Sequence, residues 1–301
     1  MLYVLITPAR NEESFIENTI RSVVSQTVIP QKWVIVSDGS TDRTDEIVKK
    51  YTRDHPWIEL VRMPEHRDRQ FAAKVHCFNA GFEKVKNTEY NVIGNLDADV
   101  SFEKDYIEFL LDRFAGNPKL GVAGTPYIEN KYNSASDSFE GENFVNGAIQ
   151  LFRRQCFEDI GGYIPHKGGG IDWIAVTTAR MKGWETRSFR EKYFYHYRPS
   201  GTADRNIISA SFLYGKKDYT MGGHPLWLIF RMMYRMTKRP LFLGGIALML
   251  GYVTAFATRI PRPISPELMK FHRQEQLTKL KCIIMNILSF QKIDKSIGES
   301  K

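Results

Sequence analysis

Three cysteines, Cys77, Cys156 and Cys282, are all that the 301 residues hold, and no two form a C-x-x-C pair. That scarcity excludes a disulfide framework and a cysteine zinc site, and it fits a reducing compartment. Met1 to Thr7 carries no basic n-region and reads as a strand, so no signal peptide is expected. Residues 1–230 are nearly balanced in charge, with 29 Lys/Arg against 30 Asp/Glu. Residues 231–301 hold 13 Lys/Arg against 4 Asp/Glu, so the net charge of +8 belongs to the C-terminal part. It bears on the partners of that part alone. No nucleic-acid-binding motif accompanies it, so nucleic acid is not an expected partner. With 43% hydrophobic and 25% charged residues the chain is ordinary globular protein, long enough for one large domain and an appendage.

Strands and helices alternate from the start. Leu2–Thr7 reads as a strand that Pro8 to Glu13 breaks, opening a helix with Ile16, Ile20, Val23 and Val24 at helical spacing. Trp33–Ser37 is the next strand, running into Asp38-Gly39-Ser40-Thr41-Asp42, where Gly39 permits a tight bend and Thr41 or Asp42 can cap a helix. A helix to about Thr52, a strand over Ile58–Arg62, a helix over Phe71–Val85 and a strand over Asn91–Leu96 follow. Such alternation means βαβ units and a parallel sheet, whose ligands lie beyond the strands' C-terminal ends. Polar or acidic clusters fall at three of those ends: Pro8–Glu12, Asp38–Asp42 and Asp97–Asp99.

Asp97 and Asp99 are two residues apart, so in extended chain their carboxylates project to one side. Paired carboxylates repel and resist desolvation. A hard divalent cation with oxygen ligands, shared with substrate phosphates, removes the objection. The structural alternative is two solvated aspartates opening a helix capped by Ser101, and for Asp38 a plain turn or cap.

The spacing of Thr7-Pro8-Ala9-Arg10-Asn11-Glu12-Glu13, Val36-Ser37-Asp38-Gly39-Ser40-Thr41-Asp42 and Leu96-Asp97-Ala98-Asp99 resembles the family 2 glycosyltransferases of the GT-A fold, over roughly residues 2 to 200. The resemblance implies a Rossmann-like α/β architecture, a mixed and mainly parallel sheet flanked by helices. It implies that Pro8, Ala9, Arg10, Asn11, Glu12 and Asp38 surround the base and ribose of a nucleotide sugar. By the same resemblance Asp97 sits near ribose and metal, and Asp99 coordinates Mn²⁺ or Mg²⁺ bridging the diphosphate. Lys74 matches a basic donor-binding position; its alternative is a solvated helix face. Arg67 and Arg69 are equally placed as phosphate partners.

Beyond the aspartates, Phe102, Ile107, Leu110, Leu111 and Phe114 mark a helix ended by Asn117-Pro118, and Leu120–Gly124 a strand. Residues 127–145 are polar and aromatic without a clear period and read as a loop that can order over an acceptor. Gly147–Arg154 is a strand, with a short helix to Ile160 after it. Gly168-Gly169-Gly170-Ile171-Asp172 then delivers one acid to the start of an amphipathic helix, as an N-cap or as something more. The family places its general base here, ahead of a helix ending in Arg-x-x-Gly-Trp, and Arg180-Met181-Lys182-Gly183-Trp184 matches. The resemblance therefore makes Asp172 the base, with Ile171 where the family usually has a second acid. His196 and Arg198 match a position that completes the metal or diphosphate site, Tyr197 standing in place of a second histidine.

The catalytic domain is expected over residues 1–204 and a basic, apolar helical region over 205–301. Leu226–Met236 mixes large apolar groups with arginines at helical spacing. Leu241–Thr258 is 18 residues without a charge, ~27 Å as a helix against a ~30 Å hydrocarbon core. Lys238 and Arg239 precede it and Arg259 and Arg262 follow. Apolar helices edged this way suit a membrane interface, with a full span, a core helix or a dimer contact as alternatives. The expectation is an inverting transferase, peripheral on the cytoplasmic face of a membrane, moving a sugar to a hydroxyl of a glycan or lipid-linked acceptor in cell-surface polysaccharide synthesis. The Gln-x-x-Arg-Trp motif of processive members is missing, so one sugar is expected per encounter. A polyprenyl-phosphate sugar synthase and a catalytically silent nucleotide-binding scaffold are the alternatives.

Overall fold

The computed structural model describes residues 1–64, 71–130, 132–136, 141–165, 169–198 and 206–288; Arg67, Arg69 and Gly168 lie outside them. The chain forms two compact units, Met1–Arg198 and Pro199–Lys301.

The first unit begins with β1 (Tyr3–Ala9), α1 (Ile16–Val24), β2 (Lys32–Asp38), α2 (Thr44–Asp54), β3 (Ile58–Met63), α3 (Phe71–Val85) and β4 (Val92–Leu96). It continues through β5 (Val100–Ser101), α4 (Tyr106–Gly116), β6 (Leu120–Gly124), β7 (Tyr127–Glu129) and β8 (Tyr132–Asn133). It ends with β9 (Ile149–Arg153), α5 (Arg154–Asp159), α6 (Ile171–Met181), β10 (Glu185–Ser188) and β11 (Phe194–His196). Seven strands form the main sheet in the order β10-β6-β9-β4-β1-β2-β3. Only β9 runs against its neighbours β4 and β6; the pairs β1–β2, β1–β4, β2–β3 and β6–β10 are parallel. The alternation pointed to a parallel sheet and the resemblance to a mixed, mainly parallel one; the antiparallel β9 makes it mixed.

The period of two along buried strands builds both cores. Tyr3, Leu5, Trp33, Ile35, Val92, Leu96 and Leu151 face one side, where Ile16, Ile20 and Val23 of α1 and Ile107, Leu110, Leu111 and Phe114 of α4 pack on them. Val4, Ile6, Val34, Val36, Ile93 and Phe152 face the other, under Val75 and Phe78 of α3, Phe157 of α5 and Ala175, Val176 and Ala179 of α6. The sheet is covered on both faces, as parallel sheets require.

Three local expectations change. β1 does not stop at Pro8, which stays in register opposite Val36. Pairing with β4 has already ended at Ile6 opposite Asn95, so the missing N–H falls where β1 has no neighbour on that side. Ser101 caps no helix: it lies in β5, and α4 begins five residues later. Residues 127–145 are not all loop. They contain β7 and β8, which with β11 and β5 make a second sheet in the order β5-β11-β7-β8. Strands this short carry no readable alternation.

The second unit is helical: α7 (Ile207–Thr220), α8 (Pro225–Met236), α9 (Leu243–Ala257) and α10 (Pro266–Leu288). Asn206 accepts from the Ile208 N–H to cap α7, and His224 Nδ1 accepts from the Leu226 N–H at the start of α8. Asp218 and Arg231 form an ion pair linking α7 to α8. Burial nevertheless pushes the Asp218 carboxyl up, against the pull of Arg231. α9 meets α7 through small residues: a Cβ on Gly251 would lie 1.9 Å from the Phe212 carbonyl oxygen, and one on Gly215 1.9 Å from that of Leu248. With α9 at 15 residues, ~22 Å, no helix of the described residues is long and apolar enough to cross a membrane.

Candidate active site

From β1 the chain winds through β2 to β3 on one side and returns to place β4 on the other. The strand order therefore reverses between β1 and β4, and in open α/β sheets the ligand crevice opens at that point. The loops leaving β1, β2 and β4 all emerge at this edge.

The first two loops are stitched together by their own polar groups. Asn11, at φ +54°, accepts from the Thr41 N–H at 2.9 Å, and its own N–H donates to Ser40 Oγ at 3.2 Å. The Glu12 N–H donates to Thr44 Oγ1 at 2.8 Å and the Glu13 N–H to Asp42 Oδ2 at 3.0 Å. A left-handed non-glycine residue costs on the order of 1 kcal/mol, so these bonds hold a strained bend. Gly39, at φ +62°, supplies the opposing turn. Arg10 Nη1 then lies 3.6 Å from Asp38 Oδ2. Behind Asp38, burial first and the Asp38 charge second push the Cys77 thiol up to about 12, so it stays neutral. Pro8 and Ala9 remain within the strand that leads into this wall.

Asp97-Ala98-Asp99 is a turn between β4 and β5, not the extended chain expected. The carboxylates converge all the same, because the turn is anchored at both ends. The Asp97 N–H donates to the Ala148 carbonyl at 2.8 Å, and the Asp99 carbonyl accepts from the Tyr197 N–H at 2.9 Å. Asp97, Asp99 and His196 each offer a ligand atom, all within 4.8 Å of one another. Burial, then the neighbouring Asp97, raise the Asp99 carboxyl above the usual range, with His196, Arg198 and Lys74 opposing. Lys74 forms an ion pair with Asp97. Burial alone would push its ammonium down; the charge and hydrogen bond of Asp97, then the charges of Asp172 and Asp99, outweigh it and leave the pKa raised. Glu12 turns to this side of the crevice, where Arg198 pairs with it and stands 4.0 Å from Asp99 Oδ2. Two crowded carboxylates, one of them destabilised by burial, beside an imidazole nitrogen form a donor set that suits Mg²⁺ or Mn²⁺.

Asp172 is not an N-cap. Gly170, in the left-handed region at φ +81°, holds that position, and Asp172 is the second residue of α6. Gly147 gives it room: a Cβ there would lie 2.7 Å from Asp172 Cβ and 3.0 Å from its Oδ2. The same Gly147 accepts through its carbonyl from Asn95 Nδ2 at 2.7 Å, and that amide is 3.5 Å from Asp97 Oδ1. Below them Tyr163 donates to Gln150 Oε1 at 2.7 Å; burial first, then Asp172 and Asp97, raise its hydroxyl well above its ordinary value. The fold thus brings Asp172 to the acid cluster from 73 residues away, and Ile171, where a second acid was possible, is buried in the core.

Sequence reasoning missed Asn95, Tyr163 and Glu129. The carboxylate of Glu129 stands 3.4 Å from His196 Nδ1. Glu129 belongs to a segment read as loop, and the Asn95 and Tyr163 side chains meet the site only through tertiary packing.

Residues 4–167 match the family described as Glycosyl transferase family 2. Among curated proteins the chain is 28% identical over 202 residues to the poly-beta-1,6-N-acetyl-D-glucosamine synthase of Staphylococcus aureus, covering 61% of this chain and 45% of that one. It is 28% identical over 170 residues to the same synthase of Staphylococcus epidermidis, covering 50% of this chain and 39% of that one. The chain thus spans less than half the length of these relatives. Among solved structures it is similar to the mannosyltransferase PcManGT from Pyrobaculum calidifontis, in complex with GDP-Man and Mn²⁺. The TM-score there is 0.56 at 17% identity, over 95% of this chain and 87% of that one. Staphylococcus aureus TarS in complex with UDP-GlcNAc superposes with a TM-score of 0.52 at 12% identity, over 98% of this chain and 93% of that one.

Proposed function

The chain belongs to glycosyl transferase family 2 and is a glycosyltransferase of the GT-A fold; from that premise we propose that it transfers a hexosyl group, with inversion, from a nucleoside-diphosphate sugar to an acceptor hydroxyl. The observation that carries the reading is the convergence of Asp97, Asp99, His196, Lys74 and Asp172 at the switch point of the sheet.

Arg10 and Asp38, braced by the Asn11–Thr41 stitch, form the wall against which the base and ribose bind. Asp97, Asp99 and His196 hold the divalent cation, Mn²⁺ or Mg²⁺. When bound, it supplies Lewis-acid neutralisation of the departing diphosphate. Lys74 and Arg198 offer further positive charge to the same oxygens, each from beside an aspartate. Asp172 takes the proton from the acceptor hydroxyl as it attacks the anomeric carbon. A general base contributes ~10²–10⁴-fold. One displacement at that carbon inverts its configuration.

The relatives support a role in cell-surface polysaccharide synthesis, with N-acetylglucosamine among the sugars to try first. The chain lacks the processivity motif, so each encounter adds one sugar. The C-terminal unit supports a membrane-associated setting at the cytoplasmic face. Leu243, Ile246, Leu250, Val253 and Phe256 expose an apolar row on α9, and Leu226, Ile229 and Met233 another on α8. Basic Lys238, Arg239 and Arg259 flank α9. An amphipathic surface rimmed with Lys and Arg lies in the interface of an anionic leaflet without crossing it, which favours a lipid-linked acceptor over a soluble one. The test is release of nucleoside diphosphate from UDP-GlcNAc and GDP-mannose with Mn²⁺ and with chelator. Slow, metal-dependent release from one donor is expected. Donor binding without any release would turn the reading into that of a silent scaffold.

A further inference from the structure

His196 carries a buried nitrogen with no hydrogen bond: Nδ1 has no partner among the described residues. The strand register explains what faces it. In the parallel pair of β11 and β7, Phe194 is opposite Tyr127 and Tyr195 opposite Ile128. One step further along both strands are His196 and Glu129. The period of two puts these on the face of Phe194 and Tyr127, away from exposed Tyr195. Glu129 Oε2 stands 3.4 Å from His196 Nδ1, and Asp99 Oδ1 stands 3.6 Å from Nε2. The imidazole is held between two carboxylates, its side chain 12% exposed and that of Glu129 13%. The Tyr127 ring, 5.8 Å away and tilted by 59°, limits how far the imidazole can swing.

A neutral imidazole has one N–H and one lone pair, and the hydrogen bond made at one nitrogen decides which role the other takes. Asp99 stands beside Nε2 as Glu129 does beside Nδ1, so the carboxylates alone do not choose the tautomer. A cation held by Asp97 and Asp99 would claim the Nε2 lone pair and leave the proton on Nδ1, facing Glu129. The lone pair then sits on Nε2, the nitrogen facing Asp99. An N–H left buried and unpaired costs about 1–3 kcal/mol, so a small turn of the ring that closes the 3.4 Å gap is favourable once Nε2 has a partner of its own.

We propose that Glu129 is a positioning residue, accepting the Nδ1–H of His196 so that Nε2 is presented as the third ligand beside Asp97 and Asp99. The proposal rests on the reading of those three residues as a divalent-cation centre. It gives the second sheet a purpose: β7 is the strand that carries the outer carboxylate, and β11 the strand that carries the ligand. Such outer partners typically contribute 10–100-fold in metal affinity.

The test uses the full chain and Mn²⁺ alone, with free Mn²⁺ followed by its paramagnetic resonance and bound Mn²⁺ by the nitrogen modulation of its spin echo. The unsubstituted chain is expected to bind Mn²⁺ and to show imidazole nitrogen at the metal. Glu129→Met keeps length but accepts nothing; it should bind about 10–100-fold more weakly and lose most of the nitrogen modulation. Glu129→Gln retains an acceptor oxygen and should recover most of both. If Glu129→Met fails to fold, as judged by thermal unfolding in chelator, Glu129→Ala carries the same expectation. Affinity and modulation unchanged in Glu129→Met would overturn the proposal while leaving His196 a ligand. His196→Asn supplies the separate control. If it binds Mn²⁺ as tightly as the parent, or if the parent binds none, the metal-centre reading falls and this proposal with it.

Discussion

The two units treat charge and apolar surface in opposite ways. In Met1–Arg198 the large apolar residues fill two cores on either face of the sheet, and acids collect at one edge, half enclosed, where they repel. In the helical unit the reverse holds. The tightest packing is made by glycines, while Leu243, Leu250 and Phe256, each more than half exposed, point outward. Each arrangement is unfavourable for an isolated protein in water. Crowded carboxylates invite a cation, and a contiguous exposed apolar row invites another apolar phase. Each unit thus leaves one kind of group short of a partner: carboxylates in the first, apolar side chains in the second.

The largest effect that would break this contrast is on Asp172. Asp172→Asn keeps shape but cannot take a proton, so transfer should fall by ~10²–10⁴ with donor affinity little changed. If the acid served only α6, losing a favourable first-turn charge would cost ~0.3–1 kcal/mol of stability and leave transfer near normal. Measuring transfer rate and donor affinity on one preparation decides between them.

Asp99→Asn sharpens it from the side of stability. A carboxyl whose pKa is raised in the folded state binds more protons there than when unfolded, so stability is lost as pH rises from the unfolded value through the raised one. At neutral pH without metal, the amide removes that penalty. The variant should therefore unfold at a higher temperature than its parent in chelator, yet lose the rise that Mn²⁺ and donor bring. A lower midpoint in chelator would mean that Asp99 is held mainly by His196 and Arg198.

On the other unit, exposed apolar groups are expected to bind where the acids bind nothing. Each large apolar side chain buried contributes about 1.5–3 kcal/mol. Leu250→Gln with Phe256→Gln should thus weaken sedimentation with anionic vesicles by roughly tenfold or more while sparing donor release in solution. Added salt should weaken the parent's binding too, since the basic rim acts through screened charge. Equal partitioning of parent and variant would refute the lipid surface.

The smallest effect tests whether the units are separable. Gly251→Ala places a Cβ against the Phe212 backbone, which cannot yield as a side chain can, and overpacking of this kind costs about 1–3 kcal/mol. Amide exchange should quicken in α7 and α9 and stay unchanged in β1 to β4. Faster exchange in both units would show that they unfold together.

Much of the fold was legible because its signals are local. Buried parallel strands are short apolar runs between turn residues, and α1, α3 and α4 carry their apolar faces at helical spacing, so the order of elements could be read directly. The charge-free stretch after Leu241 and the basic bias around it are likewise visible along the chain. The acids at Asp38, Asp97 and Asp99 end strands, and in a parallel sheet the ends of strands share an edge. What stayed hidden depends on pairing. Pro8 could continue β1 only because β4 had already parted from it, and no window of sequence contains that fact. The turn at Asp97–Asp99 brings its carboxylates together through bonds to Ala148 and Tyr197, about fifty and a hundred residues on. Glu129 meets His196 through a three-residue strand too short to show a period.

The layers, the strand ends that carry acids and the polarity of each half follow from side-chain periodicity and composition along the chain. Which groups face one another follows from strand pairing and packing in three dimensions. Strand order set the crevice between β1 and β4, the register of β7 and β11 set a carboxylate behind an imidazole, and the side-chain-free approach at Gly147 made room for Asp172. Distances of 3–4 Å between residues far apart in the chain are fixed by hydrogen-bonded pairing and close packing. Those act across space, where periodicity along the chain has no reach.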